Sequence, residues 1–197
     1  MGLTDDLQNI VDRDCVHDDT DTRRRYASDQ SFVKPYMPDA VVYAQTIEDV
    51  QAITRYANSS KTPLIPFSSG LNLHGGTIPR EGGIILDVSR MNSIDMIDTE
   101  NRFAVIQPGV TAQVLQDELK RHGLKAMLPF GIPPGRSALT SYIERDPALA
   151  AASFEYGNEH IMDMEIILPD GELFRTGLWS TGGKPGSPMG PVRAMMN

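Results

Sequence analysis

The apolar positions of this chain follow two different periods, and each change of period marks a new element. Ile47, Val50, Ile53 and Ala57 recur at three- and four-residue spacing, which predicts a helix with one buried face. Thr46 and Asp49 form a near capping box at its start, and Asn58-Ser59-Ser60 ends it. On both sides the pattern changes to short continuous runs. Val41-Val42-Tyr43 precedes the helix and Pro63-Leu64-Ile65-Pro66-Phe67 follows it, so both read as strands, the second one buried. Strand, helix and strand make a βαβ unit.

The rest of the chain is read in the same way. Gly83-Ile84-Ile85-Leu86-Asp87 predicts a strand, and residues 94–98 and 103–107 predict a pair. Gln107-Pro108-Gly109-Val110 then turns into a helix capped by Thr111. Its buried stripe is Val114, Leu115 and Leu119, with Gly123 at a left-handed C-terminal cap. Residues 124–128 predict a further strand, and Asp146-Pro147 opens a short helix. Met164–Leu168 and Glu172–Arg175 flank Pro169-Asp170-Gly171, a hairpin with Asp-Gly at its turn. At the start, residues 4–16 predict a helix with Leu7, Ile10 and Val11 on one face and Thr4 or Asp5 as cap. The polar run HDDTDTRRRYASDQS reads as a solvated connection, or else as a partner or cofactor contact through Arg23, Arg24 and Arg25. The end of the chain, GLWSTGGKPGSPMGPVRAMMN, has linker composition.

Composition narrows the class. At 197 residues with 40% hydrophobic content, the chain is long enough for one domain or two small subdomains sharing a core. A net charge of −8 without a basic block argues against nucleic acid as a partner. One cysteine, Cys15, leaves no internal disulfide and fits a reducing compartment. No basic, apolar leader opens the chain and no run approaches a membrane span, so a cytoplasmic location is expected. Cys15 reads as inert, and His17 and His160 are too isolated to suggest a metal site, so none is expected.

The candidate chemistry lies after the second predicted strand, in the loop SSGLNLHGG. Glycines let the main chain turn sharply and let a ligand approach it closely. Successive backbone N–H groups then form a concavity suited to an anion such as phosphate. No Lys or Arg lies between Lys61 and Arg80, so backbone dipoles have to do the binding. Neither the P-loop pattern nor the G-x-G-x-x-G fingerprint is present.

Three stretches in order, YMPDAVVYAQTIEDVQAITRYANSSKTPLIPFSSGLNLHGG, GGIILDVSRMNSIDMIDTENRFAVIQPGVTAQVLQDELKRHGL and EYGNEHIMDMEIILPDGELFRTG, resemble the FAD-binding domain of the vanillyl-alcohol oxidase and p-cresol methylhydroxylase flavoproteins. The resemblance covers residues 26–183. It implies an α+β fold of the PCMH type, with two small α/β subdomains, mixed sheets and flanking helices. An N-terminal helix and entry segment would occupy residues 1–34 and the FAD-binding domain 35–197, incomplete at its C-terminus and without the family's cap domain.

FAD is the cofactor so implied. Its contacts would come from Phe67, Ser68, Ser69, Gly70, Leu71, Asn72, Leu73 and His74 at the pyrophosphate, and from Pro108, Ser137, Thr140, Ser141, Gly157 and Ile161 elsewhere. Tyr156–Ile161 would lie against the nucleotide half, while Met162 reads as core filling. The superfamily often places a glycine pair near Leu139-Thr140-Ser141, and this chain has none. His74 reads as a hydrogen-bonding or packing residue rather than a covalent flavin link, and His122 as answering a helix dipole or facing solvent. No catalytic acid or base can be named. The resemblance implies part of a flavin-dependent oxidoreductase acting on an alcohol, phenolic or 2-hydroxy-acid substrate. A second polypeptide, or self-association, would complete it. A non-catalytic subunit that keeps the fold without flavin is the alternative.

Overall fold

The computed structural model describes residues 2–71, 73–128, 131–144 and 161–182. The chain divides into two compact units, Met1–Met91 with Ile167–Glu172, and Asn92–Ile166 with Leu173–Asn197.

The first unit is built on a four-stranded mixed sheet in the order β1-β2-β4-β3: β1 Val16–His17, β2 Ala40–Tyr43, β3 Leu64–Phe67 and β4 Ile84–Asp87. β1 runs antiparallel to β2, whereas β2 and β3 both run parallel to β4. Helix α3, Ile47–Ser60, joins β2 to β3, and β4 then inserts between those two strands. Its predicted capping box is present: Thr46 Oγ1 accepts from the Asp49 amide at 3.1 Å, and Asp49 accepts from the Thr46 amide at 3.0 Å. Such a cap is worth about 1 kcal/mol.

Strand side chains alternate between the two faces of the sheet. On one face Ala40, Val42, Ile84 and Leu86 meet Ile53 and Ala57 of α3 and Leu7 of α1 (Leu3–Gln8). On the other, Val41 and Ile85 meet Tyr26, with Tyr43, Ile65 and Phe67 around them.

Several expectations change here. β3 is an edge strand and only half-buried, which suits Pro66, because a residue without an N–H is tolerated at an edge. The N-terminal helix stops at Gln8 and is capped at Gly2, whose amide is taken by Asp5. A 3-10 turn at Arg13–Cys15 and strand β1 follow, so the predicted span 4–16 is three elements. The polar run contains a helix, α2, Thr20–Arg25, whose N-cap Asp19 accepts from the Thr22 amide at 2.8 Å. Arg23 Nε donates to the Pro38 carbonyl at 2.7 Å, tying α2 to the entry of β2.

In the second unit, β5 Ile94–Asp98 and β6 Phe103–Ile106 pair antiparallel as expected. Helix α4, Ala112–Arg121, is capped by Thr111, and Gly123 follows at φ +70°. Its buried residues are Ala112, Leu115 and Leu119; Val114 is 49% exposed and faces away from the core. Residues 124–128 form no strand. Leu124 and Ala126 pack on the α4 cluster, and the Ala126 amide donates to Gln116 Oε1, so no neighbouring strand is needed. A short helix, α5, Ala138–Ile143, follows, an element not read from the sequence. The hairpin is β7 Glu165–Ile167 and β8 Leu173–Arg175. Its turn groups with the first unit, where Gln51 Nε2 and Arg55 Nη1 donate to the Gly171 carbonyl at 2.8 and 3.2 Å. Gly177–Thr181 is a 3-10 helix rather than linker. Met162 is 44% exposed, so it does not fill the core. The helix expected at Asp146-Pro147 lies outside the described residues. Among the described residues, no helix is long and apolar enough to cross a membrane.

Candidate cofactor-binding site

The glycine loop leaves the C-terminal end of β3, next to the end of β4. The Phe67 carbonyl accepts from the Val88 amide at 2.9 Å, so β3 stays paired up to the point where the loop begins. Ser68, Ser69, Gly70 and Leu71 are half-buried in that loop, while Leu73 and His74 are exposed. Asn72 lies outside the described residues.

Gly70 sits at φ +63°, and a Cβ there would come within 2.5 Å of Phe67 Cζ. Gly75 sits at φ +71°, and a Cβ there would come within 2.6 Å of Val33 Cγ2. Only glycine meets both demands, a left-handed backbone and an absent side chain. The main chain is therefore wrapped tightly against Phe67 and Val33 at these two positions.

The starts of α3 and α4 are occupied in large part by their own capping bonds. At the start of α3, the Gln45 and Thr46 amides go to Asp49 and the Asp49 amide goes to Thr46. At the start of α4, the Ala112 amide goes to the Arg136 carbonyl at 2.8 Å and the Gln113 amide to the Pro134 carbonyl at 3.0 Å. The Val114 amide goes to Thr111 Oγ1. Helix ends bind anions through unsatisfied N–H groups; these pairings take the Ala112, Gln113 and Val114 amides at α4 and the Thr46 and Asp49 amides at α3.

Those pairings also place the second group of candidate residues, within the second unit. Segment 134–138 runs alongside the 108–113 turn. Ser137 Oγ donates to the Pro108 carbonyl at 2.7 Å and accepts from the Thr140 amide as the N-cap of α5. Ser141 is fully buried, and its hydroxyl donates to the Ser137 carbonyl at 2.8 Å. Pro108, Ser137, Thr140 and Ser141 thus form one cluster in which two of the hydroxyls serve the backbone. Beside them Tyr142 has its phenol pushed up to about 12 by burial. Arg136 forms an ion pair with Glu144. Ile161 is half-buried and opens the segment leading to β7, apart in sequence from both groups. Gly157 lies outside the described residues. His122 Nε2 approaches Glu118 at 3.6 Å, one turn back on α4.

A feature not singled out from the sequence lies beneath the loop. Asp87 is 2% exposed, and its carboxylate accepts from the Tyr26 hydroxyl at 2.6 Å and from the Ser89 amide at 2.7 Å. A carboxylate closing the apolar run GGIILD was the one visible sign of it. Burial, followed by the hydrogen bond to Asp87, raises the Tyr26 phenol well above its ordinary range.

Over residues 38–177 the sequence matches the family profile described as an FAD binding domain. The chain belongs to the PCMH-type FAD-binding family. That family binds FAD and includes flavoprotein oxidoreductases. The chain is 35% identical over 156 residues to the flavoprotein subunit of 4-cresol dehydrogenase (hydroxylating) from Pseudomonas putida, which is 77% of this chain and 29% of that protein. It is 31% identical over 157 residues to glycolate oxidase subunit GlcD from Bacillus subtilis, 77% of this chain and 32% of that one. Among solved structures, 4-ethylphenol oxidase from Gulosibacter chungangensis aligns with a TM-score of 0.83 at 26% identity, covering 98% of this chain and 39% of the enzyme. Substrate-bound p-cresol methylhydroxylase gives 0.79 at 29% identity, covering 94% and 36%. The chain therefore spans about a third of the length of these relatives. The expected PCMH-type fold, with its mixed sheet and flanking helices, is the fold observed.

Proposed function

We propose that this chain is the FAD-binding part of an oxidoreductase that oxidises an alcohol, phenolic or 2-hydroxy-acid substrate. The observation that carries the reading is the loop after β3. Gly70 and Gly75 press the main chain of that loop against Phe67 and Val33, and no cationic side chain is present to replace backbone N–H groups as the pyrophosphate's partner. FAD fits such a cradle, because a dinucleotide's pyrophosphate needs close backbone approach while its rings take apolar walls. In this reading Phe67, Ser68, Ser69, Gly70, Leu71, Asn72, Leu73 and His74 contact the pyrophosphate side. Pro108, Ser137, Thr140, Ser141, Gly157 and Ile161 supply the remaining contacts. Ser137 and Ser141, whose hydroxyls serve the backbone, contribute by being small. Bound FAD would supply the electron acceptor, and the protein's task is placement and exclusion of water. Completion of the substrate site by further chain or by a second polypeptide belongs to the same proposal, because relatives run to about three times this length. The single cysteine favours a reducing compartment such as the cytoplasm.

A second reading, a fold kept without flavin, draws on the missing glycine pair near Leu139-Thr140-Ser141 and on the two committed serine hydroxyls there. One experiment separates the two. The purified 197-residue chain is mixed with FAD, desalted, and its visible spectrum recorded. A retained flavin band near stoichiometry supports the first reading. A colourless, folded protein after FAD addition overturns it in favour of the second.

A further inference from the structure

Residues Tyr43, Asp87 and Phe67 occupy one row across β2, β4 and β3. The register pairs Tyr43 with Asp87 and Phe67 with Asp87 at the C-terminal ends of the three parallel strands. Tyr26 closes over this row from the entry segment. Its ring meets Phe67 edge-on at 4.6 Å and Tyr43 at 6.3 Å. Its hydroxyl proton goes to the buried Asp87 carboxylate at 2.6 Å, so the Tyr43 hydroxyl, 2.9 Å away, must be the donor in the bond between the two phenols. The tip of the Phe67 ring lies where the Cβ of any residue but glycine at position 70 would fall.

We infer that Asp87, Tyr26 and Phe67 form a buried brace that fixes the turn at residues 68–71, which makes Tyr26 and Asp87 positioning residues for the cofactor loop. The inference rests on the reading of that loop as the FAD pyrophosphate cradle. A face that needed only filling could use phenylalanine at position 26. A hydroxyl on a desolvated carboxylate does more, because it fixes both the height and the rotation of the ring that supports Phe67. Asp87 has both oxygens engaged, Oδ2 by Tyr26 and Oδ1 by the Ser89 amide. Releasing the Tyr26 bond leaves a buried anion short of a partner, and that cost holds the brace in one arrangement. Backbone N–H groups bind an anion well only when their directions are fixed beforehand, and this brace fixes them from below.

The test uses the 197-residue chain and two independent readouts, amide hydrogen exchange of residues 68–71 without ligand and FAD affinity. Tyr26→Phe keeps the ring and removes the hydroxyl. Asp87→Asn offers one carbonyl oxygen where two acceptors are needed. Phe67→Leu leaves the Tyr26–Asp87 bond in place and takes away the ring under Gly70. Ile53→Val serves as control, since Ile53 packs on the opposite face of the same sheet. Each brace variant is expected to speed exchange at 68–71 by about tenfold or more, with β2 and β4 still protected, and to weaken FAD by a similar factor. Ile53→Val is expected to change neither selectively. Wild-type exchange at 68–71 in Tyr26→Phe and Phe67→Leu, or loosening no greater than in Ile53→Val, overturns the brace. If Tyr26→Phe is too unstable to measure, Phe67→Leu decides alone by the same criteria. Failure of the wild-type chain to hold FAD overturns the proposed function instead, and leaves the exchange data to judge the brace.

Discussion

The Ser137 hydroxyl donates to the Pro108 carbonyl at 2.7 Å, joining two segments 29 residues apart, while the same oxygen caps α5 by accepting the Thr140 amide. With Ser137 almost fully buried, neither bond is readily replaced by water. Ser137→Ala therefore loses a cap and an interior hydrogen bond together, and is expected to destabilise the protein by about 1–3 kcal/mol. Urea unfolding measures this directly. A midpoint unchanged from wild type would show that the Pro108 turn is held by other means.

The contact between Gly70 and the Phe67 ring yields a sharper prediction for binding. Gly70→Ala places a Cβ within 2.5 Å of an aromatic carbon at a backbone angle that L-residues rarely adopt. Gly76 has no atom within 4 Å of an added Cβ and is not at positive φ. Gly70→Ala is expected to lower FAD affinity by about tenfold or more, and Gly76→Ala to lower it much less. Equal losses in a flavin-fluorescence titration would mean that the cradle is centred elsewhere in the loop.

Local chemistry was legible in the sequence where short-range contacts decide it. The Thr46–Asp49 box, the Thr111 cap and the Asp-Gly hairpin turn are each settled within a few residues, and each was readable. Sheet order is not local, so the position of β3 at the edge was hidden, although Pro66 gave a hint. Leu124 and Ala126 look like part of a strand, yet whether an apolar run becomes one depends on a neighbour to pair with. Tyr26 was lost inside a strongly polar run. Its role comes from Asp87, 61 residues away, and no pattern along the chain links the two. The loop's glycines were readable as sharp turns of the main chain; the Tyr26–Asp87 hydrogen bond was not.

Salt separates backbone binding from side-chain binding. Between Lys61 and Arg80 the loop has no cationic side chain, so FAD affinity is expected to fall by less than about threefold between low and physiological ionic strength. Isothermal titration at two salt concentrations gives the answer. A steep loss would move the phosphate partner to arginines such as Arg24, whose guanidinium is well exposed.

Alkaline pH reports on the buried phenols. Burial pushes Tyr142 up to about 12 and also raises Tyr26, against an ordinary value of 10.0. Between the two values the unfolded chain loses protons that the native chain keeps, so native stability is full below pH 10 and declines as pH rises from there towards 12. The urea midpoint is expected to fall across that window, and to fall less steeply in Tyr142→Phe. An identical slope in the variant would show that Tyr142 titrates like an exposed phenol.

Turnover is the last test, and it addresses the chain as a whole. Relatives of established flavoprotein type are about three times as long as this chain. Two carboxylates near the candidate residues are already engaged, the buried Asp87 by Tyr26 and Glu144 by Arg136. The described surface also carries exposed apolar side chains, Phe32 fully so and Leu73 at 68%. Apolar groups left in water favour association with another chain. The FAD-loaded chain is therefore expected to give no sustained reduction of flavin by phenolic alcohols or 2-hydroxy acids when assayed alone with an artificial acceptor. Stopped-flow and steady-state assays, paired with light scattering to fix the oligomeric state, make the measurement. Multiple turnovers by a stable monomer would show that these 197 residues contain a complete substrate site, and the proposed dependence on further chain would fall.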